Sequence, residues 1–406
     1  MLEGILIAAT LVSIFLVVYH HALYPVLLGV FQKVFGEPPV DFNNRGYAML
    51  KDESLPRICI VMPAHNEAEW IREKILNLSI LDYPSDRLKI VLACDGCTDQ
   101  TAEIARQCLS LPECEELDLE VREFKQNRGK VAVLNHVVPS LDADLLALSD
   151  VSALISVDAL LIAAAHFQDP GIGVLNSHYQ LARPGSEGEA SYWNYQAHIK
   201  SSEAALGATL GAHGAFYMFQ KELFEPLNPN TINDDFILPM QIVAKGYRAV
   251  HDDRIMALEL EQADLEMDHR RRLRISAGNM QQLIWLKKLL LPRYRGVAFA
   301  FASGKALRVA MPFLMIIAYA GSITLAQSSL FFLLAALLQS LLYGLAVWAL
   351  YLPADSRPRM INTLSYIVAG HVAGLLGSLH YLFNKPCGPW KRAGAQLTEK
   401  TSELKS

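Results

Sequence analysis

The sequence predicts an α/β domain carried between transmembrane helices at both ends of the chain. Three observations lead there. The chain opens on a long uncharged apolar run, and three more such runs crowd its last hundred residues. Between them charge returns, and short apolar stretches alternate with amphipathic ones, as strands and helices do in an α/β domain. Of 406 residues, 52% are hydrophobic and only 19% charged, a balance too apolar for an ordinary soluble enzyme. A net charge of −5 argues against nucleic acid as a partner, because phosphate binding needs a basic surface.

Ile5 to Phe31 carries no Lys, Arg, Asp or Glu and exceeds the roughly 20 residues that cross a bilayer, so it reads as a transmembrane helix. A cleaved signal peptide would need a basic start, a shorter apolar run and a small-residue cleavage site, and Met1, Leu2, Glu3 and Gly4 supply no such start. The later runs extend from about Ala306 to Leu325, Leu330 to Leu352 and Ile361 to Phe383, each near one bilayer in length. The expected organisation is a membrane helix over 1–34, a globular α/β domain over 51–290, a membrane region over 291–385 and a polar tail over 386–406.

Within the middle, RICIVM (Arg57 to Met62) is the first strand, rich in β-branched residues and closed by Pro63. AHNEAEWIREKILNL then runs from a polar loop into an amphipathic helix. LKIVLAC (Leu88 to Cys94) is a buried strand, followed by a turn and helix in DGCTDQTAEIARQCL. Together they form a βαβ unit with a right-handed crossover. The pattern repeats with a strand near Leu117 to Phe124, a helix from Lys130 to Val138 and a strand from Asp144 to Leu148. Asn66, Glu67, Asp95 and Asp150 thus gather at the carboxyl ends of strands, the edge at which open parallel sheets bind ligands, although loops after strands are polar for other reasons too.

Beyond Ile172 the alternation breaks. A helical stretch covers Glu189 to Leu206, the Gly-rich GATLGAHGAFYMF follows, and Asp234 and Asp235 open an amphipathic helix that ends near Gly246. Gly207, Gly211 and Gly214 permit close backbone approach to a ligand or strand. Cys94 and Cys97 have the C-x-x-C spacing of a redox or zinc pair, yet no second close pair follows, so free cysteines in a reducing compartment are expected. The histidines are scattered without an H-E-x-x-H pattern. Only His65 and His213 fall inside the motifs described next. Tyr192, Trp193 and Tyr195 offer rings for stacking on a sugar or for packing.

PAHNE (63–67), CDGCTDQT (94–101), RGKVAVLN (128–135), SDVSA (149–153), GAHGAFYMFQKELF (211–224), NDDFIL (233–238) and RRLRISAGNMQ (271–281) occur in an order that resembles glycosyltransferase family 2, the group of cellulose, chitin, hyaluronan and poly-N-acetylglucosamine synthases. The resemblance covers most of the chain. It implies a GT-A fold, a Rossmann-like sheet that binds a nucleotide-diphosphate sugar, UDP-linked by the same resemblance, with Mg²⁺ or Mn²⁺ as cofactor. On that analogy Pro63, Ala64, Asn66 and Glu67 line the nucleotide, Asp95 meets the base and ribose, and Lys130 reaches the nucleotide or its diphosphate.

Asp150 stands where the family places the first acid of its Asp-x-Asp metal motif, a hard oxygen ligand suited to the metal on the diphosphate. Ser152 replaces the second acid. Inversion needs a carboxylate at the acceptor hydroxyl. Asp235 takes that role by position, with Asp234 as its acidic neighbour, while the segment of Gly211, His213 and Gly214 holds the acceptor. Two acids at a helix start also complement its dipole. Arg271 and Arg274 match the family's Gln-x-x-Arg-Trp region, with Arg274 as a diphosphate clamp. Arg271 replaces its Gln and Ile275 its Trp, the residue on which polymer synthases stack the acceptor. A basic interfacial helix is the other reading of this segment, and Trp285, Lys287, Lys288, Arg293 and Arg295 fit it.

The function expected is inverting transfer of a sugar to a polysaccharide or lipid-linked oligosaccharide, forming a β-linkage. The rivals are a polyprenyl-phosphate sugar transferase and a non-catalytic subunit of polysaccharide assembly or export. Partners are then the donor, the acceptor, membrane lipid and polysaccharide-assembly proteins. Because nucleotide sugars are cytosolic, the α/β domain is expected on the cytosolic face of a bacterial inner membrane, in a multi-pass chain. Three C-terminal spans would leave Lys385, Lys391, Arg392, Lys400 and Lys405 outside, against the positive-inside tendency. Arg357 and Arg359 would then lie in the cytosol. Either the tail is an exception or one apolar segment is interfacial or re-entrant.

Overall fold

The computed structural model describes residues 1–42, 49–184, 187–261, 265–349, 351–352 and 358–383. The described residues divide into two units. One gathers residues 1–34, 187–192 and 265–383, the other residues 35–42, 49–184 and 193–261. Arg357 and the basic tail from Lys385 to Lys405 lie outside the described residues.

The larger unit is built on one eight-stranded sheet: β1 Ile58–Ala64, β2 Leu88–Asp95, β3 Leu119–Phe124, β4 Leu145–Ser149, β5 Ala153–Ile155, β6 Ile172–Leu181, β7 Phe216–Gln220 and β8 Arg248–Glu259. Their spatial order is β3-β2-β1-β4-β7-β6-β8-β5. The four strands from β1 to β4 are parallel, as the alternating pattern predicts, and each expected strand is found within about two residues of its sequence position. Strands β1 and β4 are buried along their whole length, which is why they read as continuous apolar runs rather than alternating ones.

The other half of the sheet departs from the parallel expectation. Strand β7 runs antiparallel to both β4 and β6, β6 pairs parallel with β8, and β5 pairs antiparallel with β8. The helix Glu187–Ala204 separates β6 from β7, yet β7 returns antiparallel, an orientation that the helical stretch in the sequence does not announce. Its consequence is local. Ser149 pairs with Phe216, and the Asp150 amide donates to the Ala215 carbonyl at 3.1 Å, so the residues before β7 lie beside those after β4.

Helices cover the sheet with apolar stripes. In Ile71–Ser79 the buried positions are Ile71, Lys74, Ile75 and Leu78, helical spacing with one lysine inside the stripe. Helix Lys130–Val137 buries Val133, Leu134 and Val137, and helix Asp234–Ala244 buries most of its length from Phe236 to Val243. The main core gathers Ile71, Ile75 and Leu78 around β1, β2, β4 and the helix Ala159–His166.

The smaller unit is helical. Among the described residues, four helices are long and apolar enough to cross a membrane: Leu2–Phe35, Gly296–Leu325, Leu330–Ala349 and Met360–Leu382. The second begins ten residues before the expected Ala306, because Val297, Ala298, Ala300 and Phe301 are buried and extend the helix past Lys305. Large apolar side chains such as Phe15, Leu334, Leu338 and Leu341 are exposed on these helices, as lipid-facing residues are. The basic helix Leu265–Trp285 belongs to this unit.

Candidate functional site

Residues singled out in the sequence meet at the carboxyl edge of the parallel strands. Asn66 follows β1 with φ of 59°, a conformation that asparagine tolerates better than most residues. Its Oδ1 accepts from the Thr98 amide at 2.8 Å, tying the loop after β1 to the loop after β2. The neighbouring Glu67 is buried, and its amide donates to Thr101 Oγ1 at 2.7 Å. Pro63 and Ala64 are the last two residues of β1, paired with Ala93 and Cys94.

Asp95 is buried, and its carboxylate accepts the backbone amides of Arg128 and Gly129 at 2.7–3.0 Å. It thereby fixes the turn from which Lys130 projects. The Lys130 ammonium lies 2.9 Å from Asp150 Oδ1 and 3.7 Å from Asp234 Oδ2. Burial alone would lower its pKa, but Asp150, Asp234 and Asp235 outweigh burial and hold it above the usual lysine range.

The centre of the cluster is Gly214. A Cβ on this residue would sit 3.2 Å from Asp150 Oδ2, 3.7 Å from Asp235 Oδ2 and 3.7 Å from Lys130 Nζ. Only glycine leaves this space open. Asp150 Oδ2 offers this cleft a hard oxygen donor of the kind that fits Mg²⁺ or Mn²⁺. Asp235 is partly exposed and stands in the first turn of Asp234–Ala244. Burial raises its pKa to about 6, with the Asp234 charge adding to the rise and Lys130 opposing it. Such a value suits a carboxylate that accepts a proton near neutrality. Gly211 is held at φ of 73°, and a Cβ there would overlap the Phe236 ring, so the turn before the cluster also requires glycine.

His213 stacks on Tyr179 with ring centroids 3.6 Å apart, and Trp193 meets both rings edge-on. These residues line a cavity of about 20 Å³ together with Lys200 and His251. Lys200 Nζ donates to the Gly211 carbonyl at 3.1 Å, and its charge acts on Asp235. Tyr195 is exposed, and the side chain of Tyr192 lies outside what is described.

Arg271 and Arg274 stand on the helix Leu265–Trp285, in the other unit. Arg274 is exposed, and the neighbouring Arg272 guanidinium sits 4.2 Å from the Tyr366 ring centre. Lys287, Lys288, Arg293 and Arg295 are exposed beyond the end of that helix. The five described cysteines are free, and among the described residues no third ligand joins Cys94 and Cys97.

Sequence reasoning missed several participants. Lys74 is fully buried and donates to Ser149 Oγ at 2.7 Å and to the Ala153 carbonyl, bracketing Asp150 from below. Burial lowers its pKa to about 7. A lysine inside an apolar helical stripe was the available signal. Glu259, at the end of β8, is buried, and the amide of the next residue, Leu260, donates to the Ser152 carbonyl at 2.9 Å. A carboxylate therefore stands beside the position where the Asp-x-Asp pattern is broken, and burial raises its pKa.

Residues 59–227 match the family described as Glycosyl transferase family 2. The chain is 25% identical over 196 residues to a beta-monoglucosyldiacylglycerol synthase of Nostoc sp., covering 47% of this chain and 42% of that protein. It is 21% identical over 271 residues to a poly-beta-1,6-N-acetyl-D-glucosamine synthase of Staphylococcus epidermidis, covering 65% and 64%. The chain thus spans about two fifths of the length of the first of these relatives. Its fold resembles that of the mannosyltransferase PcManGT from Pyrobaculum calidifontis in complex with GDP-Man and Mn²⁺, with a TM-score of 0.66 and 24% identity over 92% of this chain and 99% of that one.

Proposed function

We propose, from the premise that this chain carries a glycosyltransferase family 2 domain in a GT-A fold, that it is an inverting glycosyltransferase. It moves a sugar from a nucleotide-diphosphate donor, UDP-linked in the simplest reading, to a hydroxyl of a saccharide or lipid-linked acceptor at the membrane. The observation that carries this reading is the open space at Gly214, shared by Asp150, Asp235 and Lys130.

The residues divide the work. Pro63, Ala64, Asn66 and Glu67 form the edge on which the nucleotide rests, and Asp95 orients the Arg128–Gly129 turn so that Lys130 meets the diphosphate. Asp150 would hold the Mg²⁺ or Mn²⁺, which when bound would supply positive charge to the departing diphosphate. Asp235 accepts the proton of the acceptor hydroxyl as its oxygen bonds to the anomeric carbon and the bond to the diphosphate breaks. Attack opposite the leaving group inverts the centre and gives a β-linkage from an α-linked donor. Arg271 and Arg274 are assigned to the diphosphate by their place in the motif.

His213, Tyr179 and Trp193 are proposed to bind the acceptor sugar, whose apolar face stacks on such rings. Ile275 stands in place of the family's tryptophan, which favours short or single additions over long-chain synthesis. A lipid-phosphate acceptor would need no base, whereas the raised Asp235 pKa favours a hydroxyl. The four apolar helices support a multi-pass protein, with the α/β domain on the cytosolic side where nucleotide sugars are found.

The test incubates the purified protein in lipid with a panel of nucleotide sugars, Mg²⁺ or Mn²⁺, and saccharide, diacylglycerol and polyprenyl-phosphate acceptors. Transfer from one donor to a hydroxyl acceptor, with inversion, is expected. Absence of transfer or donor hydrolysis with every sugar would sink the enzyme reading, and transfer to the lipid phosphate alone would sink the role of Asp235.

A further inference from the structure

A second group of ligating side chains lies apart from Gly214, on the paired strands β6 and β8. His178 Nδ1 and His251 Nε2 approach the same oxygen, Asp253 Oδ1, at 3.1 and 2.9 Å. All three donor atoms lie within 4.8 Å of one another. The strand register brings them together. Ser177 pairs with Asp252, but His178 pairs with Met256, so residues 253–255 bulge out of the ladder and Asp253 reaches both imidazoles.

The charges of the two adjacent acids are met differently. Asp252 is held by Arg254 and by His166. Asp253 has no Lys or Arg partner among the described residues and faces only the two histidines. The side chain of His251 is 1% exposed and that of Asp253 64%, so one ligand is rigidly buried while the site opens to solvent. The Nδ1 of His251 is buried without a hydrogen-bond partner among the described residues. His251 also lines the cavity of about 20 Å³, and ligating histidines usually set their other ring nitrogen against a hydrogen-bond partner.

We propose that His178, His251 and Asp253 form a binding site for a divalent transition ion of the zinc class, separate from the diphosphate metal and clipping β6 to the bulge of β8. Two imidazoles and one carboxylate with an open fourth position are a zinc-type donor set, whereas Mg²⁺ prefers oxygen ligands. The 2.9 and 3.1 Å separations are near the ~3.3 Å edge of a tetrahedron with bonds of about 2.0–2.1 Å. The competing account is a clamp in which both histidines simply donate hydrogen bonds to Asp253.

Cobalt(II) distinguishes the two, because four-coordinate, nitrogen-containing sites give an intense visible band and six-coordinate oxygen sites a weak one. The full chain, stripped of metal in detergent and kept in excess Mg²⁺, is titrated with Co²⁺. The expected result is an intense band saturating at one ion per chain and abolished by Zn²⁺. Asp150→Asn keeps the band. His178→Gln, which retains an N–H for Asp253, weakens Co²⁺ binding by at least about tenfold, and His251→Asn is the second variant. Circular dichroism of the metal-free variants verifies folding. The proposal is overturned by the absence of an intense band in the wild type, by its loss in Asp150→Asn, or by wild-type affinity in whichever histidine variant folds.

Discussion

Replacing Asp235 with asparagine keeps the shape of the side chain and removes both its charge and its ability to accept a proton. Loss of a positioned general base typically costs about 10²–10⁴-fold in rate, so kcat should fall by at least about a hundredfold while the donor KM changes little. The raised pKa adds a pH signature. With a folded value of about 6, about nine tenths of Asp235 is ionised at pH 7 and about one tenth at pH 5. The wild-type rate should therefore fall about tenfold over that interval. A carboxylate at the ordinary 3.8 would remain more than about nine tenths ionised throughout.

Stability should move the other way. A carboxyl whose folded pKa lies above its unfolded value contributes fully below the unfolded value, and that contribution is lost as the pH rises through the folded one. The rise from 3.8 to about 6 corresponds to about 3 kcal/mol lost by the wild type above pH 6. Asp235→Asn should accordingly melt at a higher temperature than the wild type at pH 7.5, with the difference closing below about pH 4. Initial-rate profiles with saturating donor, together with thermal unfolding across the same pH range, provide the assay. A variant retaining more than about a tenth of wild-type kcat, or a wild-type rate flat down to pH 5, would refute the reasoning.

Lys74→Met removes a buried amine whose pKa burial depresses from 10.5 to about 7. Its stability contribution is present above 10.5 and is lost as the pH falls through 7, so the variant should gain on the wild type by about 4–5 kcal/mol between pH 10.5 and 7. Its kcat should fall because the ends of β4 and β5 around Asp150 lose their anchor, and matched unfolding and rate measurements check both. Trp193→Ala should raise the acceptor KM about tenfold, the value of one lost ring contact of about 1–1.5 kcal/mol, with the donor KM unchanged in two-substrate kinetics.

What the sequence by itself determined is the part of the protein whose signals are local. The apolar runs defined the candidate membrane helices, and β1, β2 and β4 were legible because a strand buried on both faces is a continuous apolar run whatever its neighbours are, whereas the half-buried, charged β3 followed from the repeating βα pattern. The strand pattern placed Asn66, Glu67, Asp95 and Asp150 at one sheet edge because parallel strands direct all their carboxyl ends the same way. Tertiary structure alone decided the antiparallel return of β7, which sets Gly214 against Asp150, and the arrival of Lys74 and Glu259 beside the Asp150 segment. It also decided the bulge in β8 that joins His178, His251 and Asp253. These juxtapositions arise from pairing register and from contacts between residues up to about a hundred positions apart. A one-residue slip in register sends every side chain to the opposite face, and no local spacing in the sequence encodes which register is used.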